Sequence, residues 1–232
     1  MTMIDRRGWL AGAGALMFAP AAIAAEARMY DYLFLDLEAA AGTAPSVAFA
    51  QHVRAAALEK AGGTPLGLFT PQIGWRASQA GLLVGWSPDA PGRDAAMSAL
   101  ARAPGVRAVE RHRLQATARP GAGDRPKSGG IYVLRWFVIG TPSLDEFIQL
   151  STTGWRDFEA RFDTNIFGLF AAEPTAQDKV AGQTRLLLVT RYKDHGVWEE
   201  SRNPTTDAMA AFRRRQLITR DTWNDSALLV PF

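Results

Sequence analysis

One short pattern occurs twice, about a hundred residues apart. Leu66-Gly67-Leu68-Phe69 is echoed by Phe167-Gly168-Leu169-Phe170. Around each copy the same succession of signals repeats, and such self-similarity means that one structural unit has been built twice. Each unit opens on an apolar run of strand character, Met29-Tyr30-Asp31-Tyr32-Leu33-Phe34-Leu35 in the first and Ile131-Tyr132-Val133-Leu134-Arg135-Trp136-Phe137 in the second. A helix start follows each run, at Pro45-Ser46 and at Thr141-Pro142-Ser143, where Ser143 and Glu146 have capping-box spacing. Phe147, Trp155 and Phe158 then fall on one helical face, as do Phe49 and Val53 in the first unit.

Beyond the echo, Leu82-Leu83-Val84-Gly85-Trp86-Ser87-Pro88-Asp89 parallels Leu187-Leu188-Val189-Thr190-Arg191-Tyr192-Lys193-Asp194, each a strand ending in a polar turn. Second helices are expected near residues 92–103 and 195–202, the latter resuming at 207–215 after Asn203-Pro204, and last strands near 106–114 and 227–230. The order strand–helix–strand–strand–helix–strand is the ferredoxin-like plan, with helices on one face of an antiparallel sheet. The bare face is partly apolar and must be covered. The expected fold is therefore α+β: two tandem ferredoxin-like βαββαβ repeats, residues 26–115 and 131–232, whose sheets close an intramolecular dimeric α/β barrel. Residues 116–130, punctuated by Pro and Gly, are the expected linker.

The first 25 residues read as an address. Arg6-Arg7 precede an apolar, Ala/Gly-rich stretch that ends in small residues before Glu26. That is the layout of a secretory signal, and the paired arginines match the twin-arginine type. The stretch is short for a membrane span. The expectations are cleavage near Ala25 or Glu26, contact with the twin-arginine export machinery, a periplasmic or otherwise exported location, and no stable span after cleavage.

At these residues the chain resembles the NIPSNAP family of the dimeric α/β-barrel superfamily. The likeness runs through Tyr132, Leu134 and Arg135, through Gly168-Leu169-Phe170, through Leu187–Tyr192 and Trp198-Glu199-Glu200-Ser201-Arg202, and through Gly62–Thr70 with Ile73-Gly74 in the first unit. Leu33 stands where the second unit has Arg135. The resemblance implies the barrel fold. The wider superfamily holds cofactor-free monooxygenases, lyases, haem-degrading enzymes and peroxidases, so it leaves the chemistry open.

Composition narrows the choice. The chain has no cysteine, which excludes disulfides, thiolate metal sites and cysteine nucleophiles. A net charge of +3 over 232 residues is no nucleic-acid signature. Metalloprotease, P-loop, nucleophile-elbow and dinucleotide-binding motifs do not occur in the mature sequence. The expectation is a small apolar or aromatic acid bound in the cleft between the sheets, with or without cofactor-independent lyase or oxygenase chemistry. The alternatives are a non-catalytic envelope protein and a haem protein. A homo-oligomer is compatible with each.

The candidate catalytic residues are Arg135 and His195. Arg135 shares a strand face with Val133 and Phe137, and there it can hold a carboxylate or enolate, or serve a structural ion pair. His195 can act as a base, as a haem ligand, or as a solvated first-turn residue. Trp75, Arg76, Trp86 and Arg191 join Arg135 as candidate ligand-binding residues. No metal site and no resident cofactor are expected. His112, within Arg111-His112-Arg113, is expected to be exposed, and Arg213-Arg214-Arg215 to be the solvated end of a helix. Glu199 and Glu200 are adjacent and cannot face one another, whereas Trp198 and Arg202 can stack.

Overall fold

The computed structural model describes residues 29–39, 42–56, 58–202 and 207–231. The export segment, its cleavage point and the Asn203-Pro204 break lie outside these residues. Among them, eight strands form a closed barrel: β1 (Met29–Leu37), β2 (Gly63–Ile73), β3 (Gln79–Trp86), β4 (Val106–Ala116), β5 (Ile131–Gly140), β6 (Thr164–Ala172), β7 (Gln183–Tyr192) and β8 (Thr219–Val230). Their order around the barrel is β1-β3-β2-β8-β5-β7-β6-β4, antiparallel throughout. The helices pack outside: α1 (Pro45–Ala55), α2 (Arg93–Ala101), α3 (Leu144–Arg161), α4 (Ala176–Ala181), α5 (His195–Glu200) and α6 (Asp207–Leu217).

The two expected sheets are thus one. They join edge to edge at β2–β8 and β4–β6. Closure removes the open edges that an isolated ferredoxin-like sheet would expose. It also buries both bare faces in one interior, lined by Tyr30, Tyr32, Phe69, Leu83, Tyr132, Leu134, Trp136, Phe170 and Leu187.

The repeated tetrapeptide has a common physical cause. Register slips between Pro65 and Gly67 in the β2–β3 pairing, and between Ile166 and Gly168 in the β6–β7 pairing. These are β-bulges, which bend a strand into the curve of a barrel. Each bulge glycine lies under the phenylalanine two residues on. A β-carbon would sit 2.8 Å from the Phe69 ring at Gly67 and 2.7 Å from the Phe170 ring at Gly168. Glycine is required there so that the inward ring can fold back over the strand.

The linker is tied down. Thr117 and Arg119 continue the ladder along Leu169, and Arg119 pairs with Glu159 at 2.9 Å. The Tyr132 hydroxyl donates to the Lys127 carbonyl, and Arg191 donates to the Gly129 carbonyl. Residues 120–130 therefore pack against one end of the barrel, and the opposite end is open.

Ser143 makes no side-chain cap to α3. Thr141-Pro142-Ser143 instead forms a 3₁₀ turn, and Glu146 pairs with Arg214 at 3.0 Å. The capping box belongs to Thr175 and Asp178, at α4.

Candidate functional site: a cavity between sheet and helices

Residues directly opposite across antiparallel strands share a face. Arg135 pairs with Leu188 and Asn224, and Val133 with Thr190 and Ser226. This face turns outward, toward α3 and α6, while Leu134 and Trp136 turn into the barrel. Arg135 is therefore not in the barrel interior. It lies at a cavity of about 260 Å³ between the sheet and the helices of the second repeat. The walls are Val133, Trp155, Phe158, Ile166, Leu188 and Phe212, with Arg202, Arg213 and Arg215 among the polar groups.

A mid-helix glycine sets the cavity's width. Gly154 of α3 lies against the Phe212 ring, which occupies the space a β-carbon would need. The two helices approach there, and Phe158 meets Phe212 edge-on at 5.5 Å.

Arg215 is not at a solvated helix end. It is 8% exposed, because Met209, Phe212 and Arg215 recur at helical spacing on the face of α6 that meets the sheet. Its guanidinium lies over the rings of Phe212, Phe137 and Phe147, at 4.7, 4.9 and 5.3 Å, and donates to Ser151 Oγ at 3.1 Å. Arg135 donates to Asn224 Oδ1 at 3.2 Å, and its buried Nε has no hydrogen-bond partner.

Among the described residues, no carboxylate lines this cavity. Burial pulls Arg135 down to about 10 and Arg215 down to about 9, and nearby guanidinium groups add to both shifts: Arg202 on Arg135, and Arg135 on Arg215. Both still carry their charge at neutral pH. Burial pushes the Tyr192 phenol up, despite those same cations. The first repeat handles buried charge differently. There Asp31, fully buried, takes Arg93 and Arg111 at 2.8 Å each. Asp31 thus has two paired arginines on one side of the barrel, whereas on the other Arg135 and Arg215 meet no carboxylate among the described residues that line the cavity.

The other candidates lie apart. His195 is the first residue of α5, edge-on to Trp198 at 6.4 Å, and lines neither this cavity nor the barrel mouth. Trp198 does stack with Arg202, at 4.9 Å. Trp86 is buried beneath the helices of the first repeat. Arg191 is held at the plugged end by Asp163 at 2.7 Å. Arg76 is exposed beyond β2, and only its neighbour Trp75 reaches the barrel mouth.

His112 corrects its expectation. Its side chain is 10% exposed, because alternation along β4 turns it inward while Arg111 and Arg113 turn outward to Asp94. The ring stacks on Tyr32 at 6.1 Å and tilts against Trp136 at 4.7 Å.

No protein-family model and no curated protein matches the chain. Solved structures match it through their fold. A candidate monooxygenase from Lactobacillus acidophilus has a TM-score of 0.56 at 7% identity, covering 88% of this chain and 94% of its own. A chlorite dismutase variant from Candidatus Nitrospira defluvii gives 0.57 at 7%, covering 90% and 92%. A haem-binding protein from Thermus thermophilus gives 0.50 at 12%, covering 88% and 92%. The chain thus has the ferredoxin-like dimeric α/β-barrel fold, with both halves of the barrel supplied by one polypeptide.

Proposed function

We propose that this is an exported, NIPSNAP-like α/β-barrel protein that binds a small apolar or aromatic acid. The site is the cavity between β5 and the helices α3 and α6. One observation carries the reading: Arg135 and Arg215 face an aromatic cavity that no described carboxylate lines. A buried cation is costly without a partner, and a ligand carboxylate supplies one. The aromatic walls then take the ligand's apolar body. A volume of about 260 Å³ suits a single ring or a short chain.

This places the acid outside the cleft between the sheets. It also ranks binding ahead of catalysis. A guanidinium pair stabilises an enolate, as lyase or oxygenase chemistry requires. Yet no imidazole or carboxylate lines the cavity among the described residues to take the proton. A carrier or binding protein of the cell envelope fits that donor set.

Haem is the competing ligand, since the Thermus thermophilus protein of similar fold is a haem-binding protein. The donor set here does not fit it. His195 has an unpartnered Nε2, but that atom is buried and the residue lines neither cavity, and both ring nitrogens of His112 face charged neighbours, Glu110 at 3.2 Å and Arg185 at 3.5 Å. Haem iron needs a free axial ligand.

Calorimetric titration with phenylacetate and its neutral isostere 2-phenylethanol tests the proposal. Phenylacetate is expected to bind about tenfold or more tightly, since a charge-assisted pair contributes more than about 1.4 kcal/mol. Equal affinity for the two would overturn it.

A further inference from the structure

The open end of the barrel holds a second cavity, of about 300 Å³, on the opposite side of β5 from the arginines. Its walls are rings. Trp136 and Trp223 lie 16° from parallel with centroids 6.1 Å apart, Tyr32 meets Trp136 edge-on, and Trp75 packs on Phe34 at 5.4 Å. Trp223 is 43% exposed, a large aromatic left partly open at the rim.

The charge here is opposite in sign. Arg185 is matched by buried Asp178 at 3.1 Å. Burial holds His112 below its ordinary value, against the pull of Glu110, so it is mainly neutral at pH 7. The charges of Asp225 and of Glu110, whose contact at 3.2 Å is with the neutral His112, are left over. Asp225 accepts a bond from Trp75, and among the described residues no lysine or arginine pairs with either carboxylate. Burial raises the Asp225 carboxyl, as expected for a half-buried anion without a cation.

Ring faces beside carboxylates attract one class of ligand. The face of an indole is electron-rich and draws a diffuse organic cation. An anion would meet Glu110 and Asp225. A hard metal ion such as Ca²⁺ takes about six to eight oxygen ligands, and two carboxylates offer at most four. We propose that the barrel mouth binds a small organic ammonium ion, with Trp75, Trp136 and Trp223 supplying ring faces and Asp225 and Glu110 the opposing charge. The chain then carries two sites of opposite polarity, separated by the thickness of the sheet.

The test uses choline and its neutral isostere 3,3-dimethylbutan-1-ol as probes, titrated into the purified mature chain and followed by tryptophan fluorescence and calorimetry. Choline is expected to give a saturable change, with affinity about tenfold or more above the isostere's. Asp225→Asn keeps the shape and the Trp75 bond. It is expected to weaken choline binding about fivefold or more while leaving phenylacetate binding unchanged. Trp223→Ala, at the exposed rim, is expected to weaken choline as well. Equal affinity for the two probes, no saturable change with choline, or unaltered choline binding in Asp225→Asn would each overturn the proposal. Failure here leaves the arginine cavity standing, because phenylacetate reports that cavity separately.

Discussion

Arg135 of β5 and Arg215 of α6 present guanidinium groups to the same cavity from opposite walls, and the charge of Arg135 helps to depress the pKa of Arg215. Like charges sharing a buried space are unfavourable for folding. The second repeat tolerates them, whereas the first neutralises its buried Asp31 with two arginines. The proposed acid site rests on this difference between the two repeats.

Arg135→Met is expected to make the ligand-free protein more stable. The substitution keeps an apolar stem and removes a cation whose Nε has no partner. A gain of about 1 kcal/mol, or about 2–4 °C in Tm, is expected in thermal unfolding followed by circular dichroism. A drop of similar size would show that Arg135 serves the fold. Arg215 is cushioned by three phenylalanine rings and is expected to show a smaller gain.

Gly154→Ala is expected to push α6 away from α3, because the Phe212 ring fills the space of the new β-carbon. Overpacking costs about 1–3 kcal/mol, and better helix propensity returns about 1. Urea unfolding should show a net loss, accompanied by weaker phenylacetate binding. Unchanged stability would mean that the helices do not approach this closely.

Asp178 gives the fold an acid-sensitive tie. Burial would raise its pKa. Hydrogen bonds from Gln183 and Thr175 and the charge of Arg185 outweigh that and hold the carboxyl down to about 2. A depressed folded-state pKa gives stability that is present above the unfolded value, near 4, and is lost as pH falls through about 2. Asp178→Asn is expected to cost about 2 kcal/mol at pH 7 and much less at pH 2, measured by urea unfolding at both. A cost independent of pH would remove the charge from the explanation.

Haem added to the purified protein is expected to give only the spectrum of free haem. A Soret band characteristic of a histidine-ligated haem, lost in His195→Ala or His112→Ala, would contradict the donor-set argument.

Replacing Arg6-Arg7 by lysines is expected to hold the precursor inside the cell, while the unaltered chain is exported and trimmed near Ala25 or Glu26. Mass spectrometry of fractionated cells reads both outcomes, and equal export of the two would remove the twin-arginine assignment.

The fold was legible because its repeats carry a physical signature: a bulge glycine beneath an inward phenylalanine, at Gly67 and again at Gly168. Closure of one barrel followed from two bare sheet faces. The sites were less legible. Charge runs read as solvent-facing, and this hid both His112 and Arg215. The corrective signal was periodicity. Period two along β4 sets His112 opposite Arg111 and Arg113, and the spacing Met209, Phe212, Arg215 sets the arginine on the apolar stripe of α6. Which strand face meets the helices could have been read at Arg135 from its neighbours Val133 and Phe137. The missing carboxylates were not legible, because they depend on contacts between distant elements.

The most direct test is a crystal structure of the mature chain with 4-bromophenylacetate, the bromine located by its anomalous signal. The expected result is one bromine among Trp155, Phe158 and Phe212, with the carboxylate on Arg135 and Arg215. Bromine at the barrel mouth, or no ordered bromine at saturating ligand, would contradict the assignment of the arginine cavity as an acid-binding site.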